Sequence, residues 1–99
     1  MTIQHRTRND RDIYHLKGAL DDAGWRQLDF IVHRLGARTG RLLQLDFHQT
    51  RGSDQDAHAR HLKRLTELAR DDRSLRFAGI APESVRHARR LGLPRSLFV

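Results

Sequence analysis

From Ile3 to Leu97, short runs of strand-forming residues alternate with three stretches whose apolar residues recur at helical spacing. That alternation constrains the fold most, because strands separated by helices of ten to fifteen residues build a parallel sheet through crossover connections. The chain opens with two strand-like runs, Ile3–Thr7 and Asp12–Lys17, joined at Asn9-Asp10, which is turn chemistry. A β-hairpin is therefore expected first, adding one antiparallel edge strand. Trp25, Leu28, Val32 and Leu35, with Ile31 beside them, then predict a helix over 22–35. Asp21 and Asp22 stand at its start, where the helix dipole favours negative charge, Arg34 stands near its end, and Gly36 is its expected cap before the break at Arg38-Thr39-Gly40.

Arg41–Phe47 is the strongest strand candidate, and its partial alternation suggests cover on both faces. His48–Gly52 reads as a loop. A second helix is expected from Ser53-Asp54-Gln55-Asp56 to about Arg70, closed by Asp71-Asp72, with Leu62, Leu65, Leu68 and Ala69 as its buried stripe. Leu75–Ile80 reads as a last short strand. Ala81-Pro82-Glu83 opens a third helix, since proline at the first helical position loses no hydrogen bond. Val85, Ala88 and Leu91 are its expected buried face, Gly92 its cap, and Leu93–Phe98 a tail packed back on the core. The expectation is one α/β domain over residues 1–99: a mixed, mostly parallel sheet of four to five strands carrying three to four helices.

Composition narrows the function classes. The 99 residues contain no cysteine, which excludes disulfides, thiolate chemistry and cysteine-ligated metals. No run approaches the ~18 apolar residues of a membrane span, and Met1–Arg6 lacks the apolar core of a secretory signal. A cytoplasmic location is expected. The net charge of +7 points to anionic partners, although arginine supplies seventeen of the 19 basic residues and is spread along the whole chain. No phosphate-cradling glycine loop or nucleophile elbow is present, so the chain is read as no enzyme and as requiring no cofactor. Asp54, Asp56, His58 and His61 fall close together, but their spacing matches no metal signature and no metal site is assigned.

Several segments together resemble a known family. Gly18-Ala19-Leu20-Asp21, Leu43-Gln44-Leu45-Asp46-Phe47, Phe77-Ala78-Gly79-Ile80, Pro82–Val85, Leu91-Gly92-Leu93 and Leu97-Phe98 follow one another in the order and spacing of a STAS domain. STAS is the fold of bacterial anti-sigma factor antagonists and of the cytoplasmic tails of sulphate transporters. The resemblance covers about 13–98. It implies a non-enzymatic protein–protein interaction module in a partner-switching pathway of bacterial transcription regulation, whose partner is a serine-kinase-type anti-sigma factor or a related switch protein. An alternative within the fold is an accessory subunit of an ABC-type lipid or anion transport system, meeting its ATPase. From another class, the basic composition suggests a nucleic-acid-binding domain. No pair of helices joined by a short turn is available for a helix-turn-helix, and no basic–aromatic strand is available for base stacking.

The family's regulatory motif is aspartate, serine, serine or threonine, then glycine, at the start of the second helix, with the second hydroxyl residue accepting phosphate. Counted from Asp46, it falls on Asp54, Gln55, Asp56 and Ala57. Asp54 matches. Gln55 and Asp56 stand where hydroxyls belong, so Asp56 occupies the phospho-acceptor position without a hydroxyl for a serine kinase to phosphorylate. A carboxylate there carries one charge against roughly −1.5 to −2 for phosphoserine. Asp56 is thus read either as a fixed partial mimic or as part of a cap, since Ser53 and Asp56 also have capping-box spacing. The resemblance implies a partner-binding surface of the 48–52 loop and the 53–61 helix start: Asp54, Gln55, Asp56 and Ala57, with Arg51, Arg60 and Arg64 meeting acidic residues.

Overall fold

The structure, a computed structural model, describes residues 1–35, 41–52, 55–69 and 74–99, with the backbone alone for Leu35, Gln55 and Asp56. The expected breaks at Gly36–Gly40 and Asp71-Asp72, and the capping pair's Ser53, lie outside the described residues. The elements are β1 (Thr2–Thr7), β2 (Arg11–Ala19), α1 (Asp22–Leu35), β3 (Leu42–Arg51), α2 (Gln55–Leu68), β4 (Leu75–Ala78) and α3 (Pro82–Arg90), followed by a 3-10 turn at Arg95–Leu97. This is the expected β-β-α-β-α-β-α order.

The four strands form one sheet in the order β1-β2-β3-β4. The β1–β2 hairpin is antiparallel; β2–β3 and β3–β4 are parallel. Register decides which side chains share a face. Tyr14 pairs with Leu45, which pairs with Phe77, and Leu43 pairs with Leu75. Leu43, Leu45, Phe47, Leu75 and Phe77 are buried, and the three helices lay Trp25, Leu28, Val32, Ala59, Leu62, Leu65 and Ala88 on them in one apolar cluster. Leu93 and Leu97 of the tail complete it, as expected.

Three features differ from the sequence reading. β3 does not stop at Phe47. His48–Arg51 continue as strand, paired through Lys17↔Gln49, Gly18↔Thr50 and Ala19↔Arg51 across a register shift between His15 and Lys17. The irregularity lets β2 follow β3 four residues further than its side-chain pattern suggests. The other face of β3 carries Gln44 and Asp46 rather than a second apolar surface, so the strand is covered by helices on one side only. In α3, Ser84 and Ala88 are the buried residues, while Val85 is half-buried and Leu91 exposed. Small side chains at 84 and 88 permit close approach of α3 to its neighbour, and α2 and α3 are in direct contact.

Candidate functional site

The parallel strands β2 and β3 end side by side, with Ala19 opposite Arg51, and the Leu20 N–H donates to the Arg51 carbonyl at 2.9 Å. In open α/β sheets the carboxyl ends of strands are where ligands and partners bind. Here both ends lead into helix starts. On one side the Asp21 carboxylate accepts the Gly24 N–H at 2.8 Å, which makes Asp21 the N-cap of α1. On the other, Thr50 donates its hydroxyl to the Phe47 carbonyl at 2.8 Å, and Gly52 turns the chain at φ +93°. α2 then begins at Gln55.

The residues singled out from sequence fall around this edge in different ways. Arg51 and Arg60 are exposed, and Ala57 is half-buried in the first turns of α2. Gln55 and Asp56 are helical in backbone, so Asp56 belongs to the first turn of α2, directly after the β3 edge. Asp54 and the side chains of Gln55 and Asp56 lie outside the described residues. Arg64 is committed elsewhere: its Nε donates to the Asp29 carboxylate at 3.1 Å and ties α2 to α1. The surface expected from a 48–52 loop is largely the end of a strand.

His58 and His61 face inward, toward the aromatic core. His61 stacks on Trp25 with ring centroids 4.4 Å apart, and His58 meets Trp25 edge-on at 5.4 Å and Phe47 at a tilt at 5.5 Å. The His58 Nε2 is buried without a hydrogen-bond partner. Burial, with His61 beside it, lowers the His58 pKa to about 4, so its ring is neutral at ordinary pH. Among the described residues no three His, Asp or Glu side chains are placed to hold a metal ion.

A constellation not read from the sequence lies on the open face of the sheet. Asp46 is bracketed by two imidazoles, accepting from His15 Nδ1 at 2.7 Å and from His48 Nδ1 at 2.5 Å, with the His48 backbone N–H at 3.0 Å. Desolvation pushes its pKa up, but these donors outweigh it and hold the carboxyl below the usual range. An ionised carboxylate only accepts, so each ring presents Nδ1–H to it. Gly79, at φ +74°, makes room: a Cβ there would stand 2.6 Å from the His48 nitrogen and 2.7 Å from its Cγ. The three side chains line an open depression of about 320 Å³ with Gln4 and Arg6, and none of these residues carries a hydroxyl or thiol to act as nucleophile. Asp46-x-His48 is a same-face pair only if residue 48 is strand, and the His15 partnership exists only in the β2–β3 register.

No protein-family model and no curated protein matches the chain. Eight chains among solved structures do. One is a serine-to-glutamate variant of RsbS from Moorella thermoacetica, a STAS-domain anti-sigma factor antagonist. It superposes with a TM-score of 0.62 over all of this chain and 86% of that one, at 18% sequence identity. The order of strands and helices, the mixed four-stranded sheet and this superposition together establish that the chain has a STAS-like α/β fold.

Proposed function

We propose that this chain is a non-enzymatic regulatory module that works by docking to another protein, in the manner of an anti-sigma factor antagonist, and that it does so without a phosphorylation switch. The observation that carries the reading is topological. Residues 55–56 form the first turn of the helix that follows β3, at the carboxyl edge of the parallel strands, and neither residue bears a hydroxyl. A serine kinase transfers phosphate to a hydroxyl, and Asp56 offers instead a permanent negative charge at a helix start, where the dipole favours it. The partner suited to such a module is a serine-kinase-type anti-sigma factor or a related switch protein, meeting Asp54, Gln55, Asp56 and Ala57 with Arg51 and Arg60 at the rim. Its place of work is the cytoplasm. No described helix is long and apolar enough to cross a membrane.

The test is phosphate transfer from the partner kinase and ATP. The native chain is expected to take up none, and Asp56→Ser to become an acceptor at residue 56. Stoichiometric phosphate on native Ser53 or Thr50 overturns the reading of a module without a phosphorylation switch. Co-purification with a transport ATPase in place of a kinase-like protein overturns the choice of partner.

A further inference from the structure

The face where α2 meets α3 carries two arginines, Arg60 and Arg90, that form no ion pair with a described residue. Ala59 and Ala88 are fully buried, and the short side chains leave a surface notch of about 250 Å³ between the helices. Arg60 and Arg90 wall it with His87, and Ala59 and Leu91 form its apolar floor. Leu91 is 38% exposed, one of few large apolar side chains on the described surface. Both arginines are exposed, and neither forms an ion pair with a described residue, whereas Arg64 and Arg86 on the same two helices are paired with Asp29 and Glu83. The carbonyls that end α3 do not compete for the arginines or repel an anion at full strength. Those of His87, Ala88 and Arg89 already accept from the N–H groups of Leu91, Gly92 and Leu93.

We propose that this notch receives an acidic segment of the protein partner, with a carboxylate between Arg60 and Arg90 and a neighbouring branched apolar side chain on Leu91. This rests on the docking reading above and adds the partner's chemistry to it. Guanidinium groups bind carboxylates in paired, planar geometry. An apolar floor beside them rewards a peptide side chain and gives nothing to a phosphodiester backbone, which uses the charge alone. The favoured occupant is therefore protein rather than nucleic acid.

The test is amide-shift titration of the ¹⁵N-labelled chain with an end-blocked Glu-Leu-Glu-Glu-Leu-Glu peptide. Saturable shifts are expected at 59–60 and 87–91, with hexaglutamate binding more weakly. The double change Arg60→Glu with Arg90→Glu is expected to weaken the peptide at least about tenfold, and Arg26→Glu on α1 to leave it unchanged. Trp25 fluorescence verifies that the variants are folded. Shifts spread over all exposed arginines, equal binding of hexaglutamate, or tighter binding of a short DNA duplex at the same residues each overturn the proposal. Because the peptide assay contains no kinase, a failed phosphate test with intact peptide binding refutes the partner-switching reading alone, and the reverse result refutes the notch alone.

Discussion

His58 sits where its chemistry fits least well. Its ring fills space between Trp25 and Phe47, yet its Nε2 is buried and unpaired. A buried polar atom without a partner costs about 1–3 kcal/mol, and a phenyl ring of similar shape removes that cost while keeping the aromatic contacts. His58→Phe is expected to raise unfolding stability by about 1 kcal/mol in denaturant titrations at neutral pH. Gly79 is the opposite case, a residue that nothing larger replaces. Its positive φ and the 2.6 Å approach of His48 both exclude a Cβ. Gly79→Ala is expected to cost about 2 kcal/mol and to shift the His48 ring signals in NMR spectra as the imidazole is pushed off Asp46.

At the scale of elements, one side chain fastens the start of the sheet. Arg41, just ahead of β3, donates to the carbonyls of Arg8, Asn9 and Arg11 and to the Asp12 carboxylate, so it clamps the β1–β2 turn against the next strand. Arg41→Ala is expected to cost about 2 kcal/mol and to deprotect β1 and β2 amides in hydrogen exchange while those of α2 keep their protection. Element order and type were legible from sequence because apolar spacing differs between strand and helix. Trp25, Leu28 and Val32 in α1 and Leu62 and Leu65 in α2 are buried as their periodicity requires. Illegible were the features that depend on register. His48–Arg51 is polar, and only the backbone of Lys17–Ala19 makes it strand. In α3 Ala88 is buried as expected, but Ser84 is buried in place of Val85, because a small residue suits the helix contact better than a bulkier one. The His15–Asp46–His48 group likewise needs two strands aligned before its members become neighbours.

For the molecule as a whole, acid is expected to act in two stages. The His58 pKa is about 4 in the folded chain, below its ordinary 6.5, so the unfolded chain binds that proton more tightly. Stability therefore falls as pH drops from about 6.5 toward 4 and is flat below for this group, a loss of about 1–2 kcal/mol once partial exposure is discounted. Against desolvation, Asp46 is held below its ordinary 3.8 by the His48 backbone N–H and the two imidazoles, and Asp12 by the Arg41 guanidinium and His5. Their stabilisation is complete above that value and disappears as pH falls through the lowered pKa values. Denaturant titrations across pH 7.5 to about 2.5, read by the buried Trp25, are expected to show both declines in the native chain and only the lower one in His58→Phe.

The two sides of the sheet meet their surroundings differently. Beyond β4, the tail closes the ladder with a bridge from Phe77 to Phe98 and a bond from the Val99 N–H to the Phe77 carbonyl. Beyond β1 no such closure is present among the described residues, and most of that strand is open to solvent. An unprotected backbone rim invites another chain to stack onto it and seed fibrous growth. Arg6 within the strand and Arg8 just after it place fixed positive charge along that rim, so two copies brought together there repel each other, most strongly in dilute salt.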